Sequence, residues 1–187
     1  MQLTKKTLTT KNMVLCALFS ALTAVSALVA IPLPFSPVPV TFQAFFALLS
    51  GAILGSKLGA VSQAVYVLAG TAGMPVFSRG SGGAGYLLGP TGGYLAGFIL
   101  CAFFTGFLFE RAKKPYGRKA FARLVPGVLL VYLSGIIWLM LITRLTPAKA
   151  FLIGVVPFIP GDIVKIFLAY VFLNKYNELY SNIINNE

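Results

Sequence analysis

Residues 124–143, LVPGVLLVYLSGIIWLMLIT, form an uninterrupted apolar run without a single charged side chain. About 20 such residues are what a helix needs to cross the ~30 Å hydrocarbon layer of a membrane. Comparable runs occupy 13–31, 38–56, 58–77 and 85–109, and a sixth, 150–174, is interrupted only by Asp162 and Lys165. Charged residues make up 10% of the chain, against roughly 25% in soluble domains. The sequence therefore predicts an all-α integral membrane protein in which residues 1–187 form one domain of six transmembrane helices.

The basic residues are distributed unevenly between the two sides of the predicted bundle. With a cytoplasmic N-terminus, the outside loops hold only Arg79, Arg144 and Lys149. The cytoplasmic segments hold eleven: Lys5, Lys6, Lys11, Lys57, Arg111, Lys113, Lys114, Arg118, Lys119, Arg123 and Lys175. This bias follows the positive-inside rule and predicts a multi-pass cell-membrane protein with both termini in the cytoplasm. The net charge of +11 then reflects orientation beside anionic lipid, and no nucleic-acid partner is expected.

Several classes of site lack the residues they need. The chain has no histidine, and Cys16 and Cys101 each lie inside an apolar run, so neither a metal site nor a disulfide framework is expected. No Gly-Lys-Ser/Thr follows the glycines, which argues against ATP binding. A single intramembrane acid does not supply the paired groups of acid–base catalysis, so we expect neither an enzyme nor a bound cofactor.

Two irregular segments interrupt the apolar pattern. IPLPFSPVPV at 31–40 carries four prolines, which exclude helix and favour an extended, polyproline-like path. GSGGAGYLLGPTGG at 80–93 is half glycine, and glycine lets a backbone approach a ligand closely with its N–H groups exposed. Within it, Tyr86 offers an apolar ring with a polar tip. A plain flexible loop is the alternative interpretation of this segment.

PGDIVK at 160–165 places opposite charges inside the sixth apolar run. Because Pro157, Pro160 and Gly161 break the preceding helix, we predict a helix from Asp162 to Tyr176 that starts within the outer part of the membrane. Asp162 would lie in its first turn and Lys165 one turn deeper on the same face. A charge at this depth normally faces a protein interior or a wet cavity. The pair is either a ligand site or a structural ion pair that holds the helix in register.

Helix 1 carries Ala17, Ala21 and Ala24 at spacings of three and four, which places small residues on one face. Such a face lets another helix approach closely. The spacing is compatible with packing inside the bundle and with docking of a partner protein.

Three motifs together resemble the BioY family, the biotin-binding components of energy-coupling factor transporters: VPVTFQ at 38–43, GGAGYLLGPTGGYLAGF at 82–98 and PGDIVK at 160–165. The resemblance spans nearly the whole chain. It implies six helices with a ligand pocket near the extracellular face. It also implies that transport is driven by partner proteins, a transmembrane coupling protein and two ATPase subunits, and it favours the docking role for Ala17, Ala21 and Ala24.

Biotin as ligand assigns an expected role to each candidate. Asp162 would accept from the ureido N–H groups, Gln43 would contact the ureido oxygen or its neighbours, and Tyr86, Phe35 and Phe42 would cover the rings. The ligand carboxylate would meet Arg79, Lys165 or the N–H groups of the glycine loop, including Gly83 and Gly85, and the sequence leaves these choices open. A stand-alone, proton-coupled secondary transporter of a small carboxylate-bearing solute, with Asp162 as proton site, is the alternative function.

Overall fold

The computed structural model describes residues 9–112 and 116–185. Lys5, Lys6, Lys113, Lys114 and the acidic Glu187 lie outside the described residues. Helices and strands follow in this order: α1 Thr10–Leu28, β1 Ala30–Leu33, β2 Ser36–Thr41, α2 Gln43–Leu54, α3 Ser56–Thr71, a 3-10 helix Ser78–Gly80, α4 Ala84–Leu87, α5 Gly92–Glu110, α6 Lys119–Thr143, α7 Pro147–Gly154 and α8 Ile159–Asn185.

Among the described residues, three helices are long and apolar enough to cross a membrane: α1, α5 and α6. The pair α7 and α8, bent by 53° at the break between them, gives a fourth span if it is counted as one. With 12 and 16 residues, α2 and α3 fall short of the ~20 that a full crossing takes. The chain is thus a mostly helical membrane protein, and the count of six crossings stays a prediction.

The proline-rich segment is a β-hairpin, so the all-α prediction needs a correction. Helix is absent there, as predicted, but β1 and β2 pair antiparallel instead of following a polyproline path. The paired residues are Ala30 with Thr41, Ile31 with Val40, and Leu33 with Ser36. None of them is a proline, and in a two-stranded sheet every strand is an edge strand, where the missing N–H of proline is tolerated. As a result, the helix within the predicted crossing 38–56 begins at Gln43 and not at residue 38.

Two other predicted boundaries also differ. The run 85–109 is divided between α4 and α5, and the helix predicted from Asp162 to Tyr176 begins earlier, at Ile159. Pro160 was expected to prevent this. It lies in the first turn of α8, where a backbone N–H has no helical partner to lose.

Glycines and one carboxylate hold the helices close together. Gly55 joins α2 to α3 with a φ of +88°, which other residues rarely adopt. Next to it, Glu110 at the end of α5 accepts from the Ser56 N–H at 2.8 Å and from the Ser56 hydroxyl at 2.7 Å, which caps the start of α3. Between α5 and α6, a Cβ on Gly97 would lie 2.4 Å from Ser134 Oγ, so only glycine permits this approach.

The glycine-rich loop packs against the end of α3. The Gly83 N–H donates to the Gly70 carbonyl at 2.7 Å, and Trp138 on α6 donates its indole N–H to the Gly89 carbonyl at 2.9 Å. These two hydrogen bonds attach the loop to α3 and to α6. Residues of the hairpin and of this loop line one pocket, so the two segments lie at the same end of the helices.

Candidate ligand-binding site

A cavity of about 520 Å³, including the part open to solvent, lies beneath the hairpin and the glycine-rich loop. The hairpin, α2, the 3-10 helix, α4, α5, α6 and α8 all contribute side chains. The lining residues are Val38, Pro39, Thr41, Gln43, Ala44, Ser78, Tyr86, Thr91, Tyr94, Leu95, Phe98, Val131, Tyr132, Phe158, Asp162 and Lys165. Most are apolar, with a few polar groups that can fix the orientation of a ligand.

One carboxylate in this cavity has two partners. Asp162 and Lys165 are 6% and 5% exposed, and Lys165 Nζ lies 2.7 Å from Asp162 Oδ1. The hydroxyl of Tyr132, on α6, donates to Asp162 Oδ2. An ionised carboxylate offers about four acceptor positions, so these two donors leave acceptor capacity on both oxygens. Such a group suits a ligand that brings N–H donors.

The side-chain amide of Gln43 is held from three directions. Its oxygen accepts from the Thr41 hydroxyl at 2.8 Å and from the Ser78 hydroxyl at 3.2 Å, and its nitrogen donates to the Tyr66 hydroxyl. These bonds join the end of the hairpin, the start of α2, α3 and the 3-10 helix. Gln43 therefore presents an ordered amide to the cavity.

An aromatic stack supports the cavity wall formed by Tyr86. The Tyr86 ring stacks on Phe77 with centroids 5.1 Å apart, and Phe77 meets Tyr66 edge-on at 5.7 Å. Phe77 is fully buried, and a Cβ on Gly70 would lie 2.2 Å from its ring. The close approach of α3 to Phe77 through Gly70 thus keeps Tyr86 in position.

A wider basin of about 1150 Å³, again including open solvent, adjoins the cavity. Pro39, Ser78, Tyr86 and Thr91 line both. Serines, prolines and glycines form most of its remaining surface, together with the exposed Arg79. Arg79 adopts a left-handed backbone conformation with a φ of 63° in the 3-10 helix. The basin, called the outer basin below, therefore offers a cation next to the mouth of the cavity.

The structure brings together four of the residues predicted from the sequence. Asp162, Lys165, Gln43 and Tyr86 line the cavity. Two others, Arg79 and Gly85, line the outer basin.

The remaining three candidates line neither space. Phe35 lies at the tip of the hairpin and is 60% exposed. Phe42 lies near the Lys165 ammonium, with Nζ 6.0 Å from the ring centroid. The N–H of Gly83 already donates to Gly70, which leaves it unsuited to binding a ligand carboxylate.

Several lining residues were not predicted, above all Tyr132 and Tyr94. The Tyr94 hydroxyl donates to the Gly154 carbonyl of α7 at 2.8 Å, and its ring lies 6.4 Å from that of Phe158. A tyrosine inside an apolar run is the one sequence feature that could have indicated them, because a buried hydroxyl usually finds a partner. No spacing in the sequence relates either residue to α7 or α8.

The small residues of α1 differ in exposure. Ala17 and Ala21 are exposed and Ala24 is half-buried, whereas Cys16, Phe19 and Thr23 on the opposite face are buried. Packing among the described residues therefore leaves Ala17 and Ala21 exposed. Within residues 9–112 and 116–185, no group of three His, Cys, Asp or Glu side chains could hold a metal ion.

Comparisons with known proteins agree on one family. The sequence profile of the BioY family matches residues 2–182. The chain is 39% identical to the "Probable biotin transporter BioY" of Pyrococcus horikoshii, covering 88% of this chain and 95% of that protein. It is 40% identical to the "Biotin transporter BioY" of Thermotoga maritima, covering 90% and 97%.

A solved structure, the "S-component for biotin from an ECF-type ABC transporter", superposes with a TM-score of 0.82 at 29% identity, covering 90% of this chain and 91% of that chain. These similarities do not favour the alternative of a stand-alone proton-coupled transporter. The chain belongs to the BioY family.

Proposed function

We propose that this protein is the high-affinity biotin-binding component of an ATP-driven vitamin uptake transporter. It captures biotin and delivers it for import together with a transmembrane coupling protein and two ATPase subunits. The names of its relatives and the S-component structure support this proposal. The observation that carries it is the buried Asp162 carboxylate, partnered by Lys165 and Tyr132, at a cavity that is otherwise mostly apolar.

The ring end of biotin matches the chemistry of this cavity. Asp162 accepts a hydrogen bond from the ureido group, which brings N–H donors to the carboxylate. The fused rings contact Tyr86, Phe98 and Phe158, which supply apolar surface along the cavity wall. Burying such rings contributes ~25 cal/mol for each Å² removed from water, and the polar contacts select the ligand.

The carboxylate end of biotin points toward the outer basin in this arrangement. Lys165 is already compensated by Asp162 at 2.7 Å, so a ligand carboxylate there would compete with a buried anion. Arg79 lies on the outer basin, and no ion pair involves it among the described residues. Arg79 is therefore the cation that meets the ligand carboxylate, and the side chain of biotin runs from one space to the other.

The protein lies in the cell membrane as one six-helix domain, with its cavity toward the extracellular face and its termini in the cytoplasm. Its six membrane segments are α1, the hairpin with α2, α3, α5, α6 and the bent pair α7–α8, and the helices α2 and α3 are each shorter than a full crossing. Two hydrogen bonds connect the helix ends that carry most of the basic residues, and both lie outside the cavity lining. The Ser56 N–H donates to Glu110 Oε1 and the Gly117 N–H donates to Asn174 Oδ1, each at 2.8 Å. Lys57, Arg111, Arg118, Lys119, Arg123 and Lys175 belong to these ends. The positive-inside rule supports a cytoplasmic position for them.

The coupling protein docks on α1 through the face that contains Ala17 and Ala21 and borders on Ala24. Exposure of the two alanines within this chain supports the role, because small residues let a second helix approach the backbone. Anionic lipid surrounds the basic cytoplasmic ends.

The test is calorimetric titration of the purified protein with biotin, with thiamine and riboflavin as controls. We expect saturable binding of biotin alone. Uptake into cells should require the coupling protein and the ATPases and should persist when the proton gradient is collapsed while ATP is maintained. Binding of all three vitamins alike, or uptake by the isolated protein driven by the proton gradient, would contradict the proposal.

A further inference from the structure

The hydrogen bond from Tyr132 to Asp162 is a contact between two different helices. Lys165 and Asp162 both belong to α8 and are three positions apart, so their ion pair moves with that helix. Tyr132 lies in the middle of α6, thirty positions earlier in the chain. Its hydroxyl therefore ties the carboxylate to a second wall of the cavity and limits how the Asp162 side chain can rotate.

We propose that Tyr132 is a positioning residue that orients Asp162 as the acceptor for an N–H donor of the ligand, such as the ureido group. This inference rests on the proposed function. Lys165 bonds to one carboxylate oxygen and Tyr132 to the other, and each oxygen keeps acceptor capacity. With both oxygens held, the remaining lone pairs have a defined direction before the ligand arrives.

This arrangement raises affinity by preorganisation. A side chain that is already ordered does not lose rotational freedom when the ligand binds. The hydroxyl also stabilises a carboxylate that is only 6% exposed and so has little water around it. Removal of the hydroxyl would leave Asp162 with the partner on its own helix and with more freedom to turn toward Lys165.

Tyr132 also lines the cavity, so direct contact with the ligand and simple packing are competing roles. A double-mutant cycle separates them, because a positioning residue acts only through its partner. The cycle consists of Tyr132→Phe, Asp162→Asn and the double variant. Tyr94→Phe is the matched control, since that hydroxyl belongs to the same cavity but donates to the Gly154 carbonyl at 2.8 Å.

Two quantities are measured for each variant: the biotin dissociation constant and the thermal unfolding of the ligand-free protein. We expect Tyr132→Phe to weaken biotin binding about tenfold in the parent, since hydrogen bonds to charged groups are the stronger ones. In the Asp162→Asn background the same change should cost about threefold or less, and the two changes should also be non-additive in thermal unfolding. Tyr94→Phe should have the same effect on affinity in both backgrounds.

Equal losses of affinity from Tyr132→Phe in both backgrounds would refute the positioning role, because Tyr132 would then act without Asp162. If Tyr132→Phe does not fold, Tyr132→Gln, which keeps a donor, should bind biotin more tightly than Tyr132→Leu, and equal affinities would refute the role. Failure of the folded parent to bind biotin would refute the proposed function and this inference together. A parent that binds biotin, with additive losses, would refute the inference alone.

Discussion

Replacement of Asp162 by asparagine should lower both the stability of the protein and its affinity for biotin, for two separable reasons. The side chain keeps its shape but loses its charge, while Lys165 stays 5% exposed with its ammonium 2.7 Å from the altered group. Removal of one partner of a buried ion pair typically costs about 3–5 kcal/mol of stability. The loss of a charged hydrogen bond to the ligand costs about 1.5–3 kcal/mol, a ten- to hundredfold loss of affinity.

The double variant Asp162→Asn with Lys165→Met distinguishes these effects. With no unpaired ammonium left in the cavity, most of the lost stability should return, whereas the affinity for biotin should stay at least about tenfold below that of the parent. The assays are calorimetry with biotin and thermal unfolding of the ligand-free protein in detergent.

Glu110→Gln provides the matched control for this pair. Glu110 is a carboxylate with two hydrogen bonds to Ser56, at 2.8 and 2.7 Å, and it does not line the cavity. Its replacement should lower stability and leave biotin affinity unchanged. If the double variant binds biotin as tightly as the parent does, the Asp162–Lys165 pair is a structural bridge and the assignment of Asp162 to the ligand is wrong.

Three further predictions test the docking face, the ligand carboxylate and the topology. Ala17→Trp should prevent co-purification with the coupling protein and leave biotin affinity nearly intact, because a bulky ring blocks close helix approach. The control is Leu133→Trp, at an exposed position of α6. Loss of biotin binding in Ala17→Trp would indicate that this face packs inside the bundle. The parent should bind biotin more tightly than its methyl ester, and Arg79→Gln should abolish that preference; a preference that survives in Arg79→Gln but not in Lys165→Met would reassign the carboxylate to Lys165. A cysteine introduced for Tyr116 should react with a membrane-impermeant thiol reagent only after the membrane is opened, and labelling in intact cells would reverse the topology.

The membrane class and the main elements of the candidate site could be predicted from local sequence patterns. Long apolar runs indicate membrane helices, because a backbone in the hydrocarbon layer must satisfy its own hydrogen bonds and a helix does so within one segment. Asp162 and Lys165 were predicted to share a helix face because a spacing of three residues brings side chains together in any helix, and the structure has them 2.7 Å apart. The small-residue face of α1 follows from the same periodicity.

Tertiary packing decided the rest. Tyr132 reaches Asp162 across thirty positions of sequence, and Gln43 meets Tyr66 across twenty-three. No local period links such residues, since their meeting depends on how α6 packs beside α8 and how α2 packs beside α3. The prolines of 31–40 exclude helix, but only pairing between Ala30–Leu33 and Ser36–Thr41 makes that segment a hairpin over the cavity. Hydrogen-bond partners of this kind are set by the contact geometry of whole elements, which the sequence of a single element does not contain.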